Sequence, residues 1–169
     1  MSDPTPAVSR LVKRAEFQSY MNVAASGSTA SYELIGEGFT SLSESKNPKE
    51  YSRQYVHEIT ERTDVVGYAP SIAYSVDAHT NNSVIAKIMA VTDQELTGAD
   101  AQVDIVSVNV FAGSETSAPA FKRKYNIIPD NKGDGTDALI YTGTLRAAGD
   151  VESGGTFNVT TKTYTAPSP

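Results

Sequence analysis

The chain has 169 residues, 39% hydrophobic and 20% charged, with 20 acidic against 14 basic side chains and a net charge of −6. That length suits one domain with a substantial core and lies outside the disordered regime. With no cysteine, disulfides and thiolate metal sites are excluded, and the acidic balance argues against sequence-independent DNA binding, which needs Lys and Arg on phosphates.

No apolar run approaches the ~18–20 residues of a membrane span. The opening MSDPTPAVSRLVKRAEF has neither a continuous apolar segment nor a small-residue cleavage site, so the expectation is a protein made and kept in a cytoplasm.

Residues 1–16, with two prolines and then Arg10, Lys13 and Arg14, read as a flexible basic arm. A single domain is expected over 17–165. Phe17–Val23 is a first strand, followed by a small-residue loop around Gly27. Tyr32 opens a second strand that turns at Gly36 and Gly38 and continues as Phe39–Leu42. After Asn47–Pro48 comes an extended run from Lys49 to Arg62 that is polar on both faces. As a strand it would put Tyr51, Arg53, Tyr55, His57 and Ile59 on one side and Glu50, Ser52, Gln54, Val56, Glu58 and Thr60 on the other. Such a strand would span roughly 43 Å against a usual 5–6 residues. It outgrows the core of its own domain, which points to contact with another copy.

Ser71–Ala78 alternates Ile72, Tyr74, Val76 and Ala78 against polar or small residues, a half-buried strand. A helix is expected over about 82–97, capped at Asn81, Asn82 or Ser83 and ended by Gly98 at C′. Its apolar stripe is Val84, Ile85, Ile88, Met89 and Leu96. Gln102–Ala112 carries apolar residues on both faces and reads as a central strand. Phe121–Pro129, Ala138–Ala148 and Thr156–Tyr164 follow, separated by turns near 131–136 and 149–155. Residues 166–169 form a tail. One helix among about seven or eight strands makes an α+β, mainly β fold: an antiparallel β-sandwich or barrel with a flanking helix.

Motifs for chemistry are sparse. His57 and His79 are the two histidines, and His57–Glu58 has no second histidine four residues after the first. Asp130–Gly135 has the look of a calcium loop, but Lys132 and Tyr141 occupy positions where acidic ligands belong. No nucleophile elbow, P-loop or dinucleotide fingerprint occurs. The reading assigns no catalytic residue, no metal and no cofactor. Nine tyrosines without tryptophan suit a protein interface better than a sugar-stacking face.

The linked segments LIGEGFTSL (34–42), Asn47–Pro48, Val56–His57–Glu58, VGYAPSI (66–72), TGADA (97–101) and Ile105–Val108 together resemble the major tail protein, or tail tube protein, of long-tailed, non-contractile bacteriophages. The resemblance runs in order over residues 17–112. It implies a structural subunit that is not an enzyme, forming six-fold rings that stack into a tube through which DNA is ejected, located in the virion tail. A long hairpin, about 43–68 here, and terminal arms, 1–16 and 160–169, would lock rings together, with Tyr51, Arg53, Tyr55, His57, Ile59 and Tyr68 as candidate contacts. Expected partners are other copies, a tape-measure protein and tail-terminator or tail-tip proteins, with DNA passing an acidic lumen unbound and no membrane. A contractile-tail tube, a capsid decoration protein and, further off, a carbohydrate-binding adhesin are the competing readings.

Overall fold

The computed structural model describes residues 9–169; the first eight residues of the expected arm lie outside them. Eleven strands occur among the described residues: β1 (Phe17–Asn22), β2 (Tyr32–Leu34), β3 (Phe39–Ser45), β4 (Pro48–Arg53), β5 (Arg62–Tyr68), β6 (Ser71–Asp77), β7 (Gln102–Asn109), β8 (Ala118–Asp134), β9 (Ile140–Ala147), β10 (Glu152–Asn158) and β11 (Thr163–Thr165), with α1 (Ser83–Asp93) between β6 and β7. Nine strands form one curled antiparallel sheet, a half-barrel, in the order β2-β1-β7-β8-β9-β6-β3, with β10 and β11 branching from β8. β4 and β5 form a separate two-stranded ribbon.

Mainly β architecture with one flanking α-helix therefore holds, with more strands than the expected seven or eight. The excess comes from turns with no plain punctuation in the sequence. Thr156–Tyr164, read as one strand, is β10 and β11 joined by a tight turn with Lys162 at φ +53°. Part of the expected C-terminal arm, 163–165, is thus a sheet strand paired with β10. Conversely, the expected turn at 131–136 is strand as far as Asp134.

β7 explains how one sheet holds two cores. Its alternate residues Val103 and Ile105 join the larger core, with Met21, Ile72, Tyr74, Val76, Ile127 and Leu145, under α1. Val106 and Val108 point the other way, into a smaller core with Tyr20, Tyr32, Ala118, Ala120 and Phe157. The period of two on a two-faced strand produces this division. Around the smaller core, β2, β1, β7, the first part of β8, β10 and β11 curl until their ends approach. Lys162 Nζ and Glu33 Oε2 bridge that gap at 2.5 Å, and Phe157 meets Tyr32 edge to face at 5.9 Å.

α1 begins where its cap dictates: the Asn82 side chain accepts from the Val84 and Ile85 amides at 3.1 and 3.2 Å. It ends earlier than expected, at Asp93 rather than near 97. Glu95 takes the left-handed conformation (φ +52°) just past the helix, Gly98 (φ +62°) does so only further on, and the Leu96 amide donates back to the Val91 carbonyl at 3.2 Å. Val84, Ile85, Ile88 and Val91 are buried, and Met89 and Leu96 pack at the margin. Asp93, at the end of α1, accepts from Lys132 Nζ at 2.7 Å and from the Tyr141 hydroxyl at 3.1 Å, which ties the helix to β8 and β9.

Gly143 is required by close approach. It sits opposite Tyr74, and a Cβ there would lie 2.4 Å from the Tyr74 hydroxyl and 2.6 Å from the Ile128 carbonyl oxygen. Burial pushes that hydroxyl up to about 12, with Asp130 adding to the effect.

Candidate assembly surface

The region that sequence reading singled out is a hairpin rather than a single long strand. β3 and β6 pair within the main sheet, and the same two chain segments continue beyond it as β4 and β5. The junction is a kink, not a break. Asn47 stands at φ +43°, its Nδ2 donates to the Ala69 carbonyl at 3.1 Å and to Ser71 Oγ at 3.2 Å, and the Ala69 amide donates to the Asn47 carbonyl at 3.1 Å. Ser43–Ser45, placed in the hairpin by the sequence reading, belong to β3 and the main sheet. The free-standing part is 48–68.

The extended run stops at Arg53, because residues 54–61 fold into the tip. The Glu58 amide donates to the Tyr55 carbonyl at 3.0 Å, Gln54 Nε2 donates to the Glu58 carbonyl at 2.9 Å, and Arg62 pairs with the Glu58 carboxylate. This corrects the face assignment. Tyr51 and Arg53 lie on β4, Tyr68 ends β5 at the base, and Tyr55, His57 and Ile59 are in the tip. Tyr51 and Arg53 meet, the guanidinium 5.3 Å from the ring centroid, and Tyr55 and His57 stack at 6.2 Å.

What makes the hairpin unusual is its exposed apolar surface. Val56 and Ile59 at the tip are fully exposed (108% and 98%), and Tyr51, Tyr55, Val65, Val66 and Tyr68 are also exposed. Large apolar side chains exposed together on one hairpin single it out as a candidate interaction site. Sequence reasoning missed Val65 and Val66 and set Val56 on the wrong side. The adjacent valines in VVGY were the available signal, since a strand with one covered face alternates.

At the hairpin base a cleft of about 430 Å³ opens between β1, β7 and β8, lined by Phe17, Ile105, Phe121, Arg123, Tyr125 and Val151. Burial, then the Glu44 carboxylate, pushes the Tyr125 hydroxyl up to about 12, which keeps it protonated. Arg123 Nε is buried with no hydrogen-bond partner among the described residues.

A third surface is the face of the main sheet opposite the larger core. Cross-strand registers line up Ser45, Ser71 and Arg146, then Ser43, Ala73 and Thr144, then Ser41, Ser75 and Thr142. These residues are half-buried or exposed, so a sheet face built from hydroxyls and one cation is open to water.

No protein-family model matches the chain, and no curated protein matches it in sequence. In fold it is similar to a chain of the tail of an empty GTA particle refined with C6 symmetry, at TM-score 0.56 and 11% identity, covering 85% of this chain and 98% of that one. A chain of the anti-feeding prophage baseplate, 6-fold symmetrised, aligns over 94% of this chain and 99% of that one at TM-score 0.47 and 15% identity.

Proposed function

We propose that this protein is a structural, non-catalytic subunit of a bacteriophage tail tube, forming six-membered rings that stack into a conduit for DNA. The observation that carries the reading is the hairpin at 48–68. It leaves the sheet with Val56 and Ile59 fully exposed at its tip, on a fold similar to that of a chain in a six-fold symmetric particle tail. Such a surface is a liability on a monomer and an asset on a subunit. Ring closure and open-ended stacking both arise from contacts between unlike patches of identical chains.

The hydroxyl face of the main sheet suits the conduit wall. Ser41, Ser43, Ser75, Thr142 and Thr144 offer polar contacts without the array of cations that would hold phosphates in place. The three rows carry one cation, Arg146, and no carboxylate. The reading includes assembly in the host cytoplasm onto a tape-measure protein, ends defined by terminator and tip proteins, and a non-contractile tail.

Negative-stain electron microscopy of purified protein at rising concentration tests it. Uniform hollow tubes, or six-fold rings that elongate when tape-measure protein is added, are expected. A protein that stays monomeric under both conditions sinks the proposal.

A further inference from the structure

Independently of the assembly reading, we infer that the C-terminal stretch 159–167 is a clasp that shuts the smaller half-barrel of its own chain and opens as a local unit, with the Glu33–Lys162 pair as its latch. The expected C-terminal arm, 160–169, would reach a second copy; the contacts of this stretch run inside the chain instead.

Val159 starts the clasp by donating its amide to the Glu115 carbonyl at 2.8 Å. Lys162, at φ +53°, turns the chain, and β11 runs back along β10 with Tyr164 opposite Phe157. Tyr164 does most of the closing. Its side chain packs on the smaller core, its hydroxyl donates to Glu152 Oε1 at 2.6 Å, and Lys122 Nζ sits 4.9 Å from its ring centroid. Gly155 makes room for the ring, since a Cβ there would lie 2.6 Å from Tyr164 Cε2. Pro167 lies against Gly154, 3.5 Å from where a Cβ would stand.

The far side of the clasp is held by little. β11 has three residues and pairs with β10 alone, just as β2 has three and pairs with β1 alone, so each leaves one unpaired edge at the seam. Among the described residues no backbone ladder joins β2 to β11. The seam is crossed by Lys162 and Glu33, whose side chains are 45% and 35% exposed. A short terminal strand with exposed backbone and few buried contacts opens at a lower free energy than the whole domain. Shut, the clasp pairs the outer edge of β10 and covers the fully buried Phe157; open, it uncovers both.

Hydrogen exchange read by mass spectrometry, on unassembled full-length chain isolated by gel filtration, tests the clasp. In the wild type, amides of 156–165 are expected to exchange more slowly than the hairpin tip at 54–61 and faster than β6 and β9. Lys162→Glu sets two carboxylates face to face across the seam and should speed exchange at 156–165 about fivefold, with β6 and β9 unchanged. Adding Glu33→Lys to Lys162→Glu should return the rate to the wild-type value. Raised salt should speed the wild type and slow the Lys162→Glu variant, since screening weakens attraction and repulsion alike.

An unchanged rate in Lys162→Glu, or no recovery in the swapped pair, removes the latch. An equal rise in β6 and β9 shows global unfolding and overturns the local opening. Free exchange at 156–165 in the unassembled chain, with protection only in rings or tubes, overturns the clasp and makes the stretch an arm between copies.

Discussion

The main sheet and the hairpin are built from one continuous pair of strands, and they dispose of their apolar residues in opposite ways. In β6, Ile72, Tyr74 and Val76 turn inward and are buried, while Ser71 and Ser75 face out. A few residues earlier, in β5, Val65 and Val66 are adjacent and both exposed (54% and 64%). The body of the molecule buries apolar side chains on both faces of its sheet, one against α1 and the other around Phe157. The hairpin does not. The apolar residues that hold the fold together and those that stay exposed therefore lie on different stretches of the same ribbon.

Mutations can break or sharpen that contrast. The largest effect belongs to the body. Ile88→Ala beneath α1, where the side chain is fully buried, is expected to cost about 2–5 kcal/mol by denaturant unfolding. A smaller loss would mean that α1 covers the sheet less tightly than the structure indicates.

Next is Gly143→Ala, which drives a Cβ toward Tyr74 and the Ile128 carbonyl and is expected to cost about 1–3 kcal/mol. Pairing this change with Tyr74→Phe tests its cause, since removing the hydroxyl should recover part of the loss. Asn82→Ala removes the α1 cap and should lower stability by about 1 kcal/mol, with thermal unfolding as the readout.

For the hairpin the contrast predicts the reverse. Val56→Asp with Ile59→Asp should leave unfolding within about 0.5 kcal/mol of wild type yet abolish tubes in micrographs. Comparable loss of stability in this double variant would show that the tip is part of the folding unit after all.

The smallest effect is in acid. Hydrogen bonding from Lys132, opposed by burial and aided by Tyr141, holds the Asp93 carboxyl below the usual carboxylate range. The native state then binds fewer protons than the unfolded chain, so this contribution is present above the ordinary pKa of ~3.9 and is lost as pH falls through the lowered native value. Asp93→Asn should make the acid side of the stability profile shallower and leave neutral-pH assembly unchanged, measured by unfolding across a pH series.

Where local chemistry decides structure, the sequence was readable. The alternation of β6, the two-faced pattern of β7 and the Asn82 cap all appear in the chain as residue types at fixed spacing, because strand and helix periods and cap hydrogen bonds involve neighbours in sequence. The turn at 54–61 was not readable. It holds no Gly, Pro or Asn, and its polar–apolar alternation imitates a strand. Its closure rests on the Glu58–Arg62 pair and backbone hydrogen bonds that exist only once the chain has turned. The end of α1 at Asp93 escaped for a related reason, since the left-handed residue that follows it is Glu95, a type that rarely adopts that conformation.

Of the candidate site, the sequence by itself marked the segment and six exposed side chains: Tyr51, Arg53, Tyr55, His57, Ile59 and Tyr68. Their exposure follows from a run with no face polar or apolar enough to pack. Tertiary structure alone decided that β4 and β5 leave the sheet at Asn47, and that Val56 shares the tip with Ile59. It also brought Phe17, Phe121 and Val151, far apart in the chain, to the walls of one cleft. Those outcomes depend on strand order and register, which are settled by burying two cores at once, and no short window of sequence carries that balance.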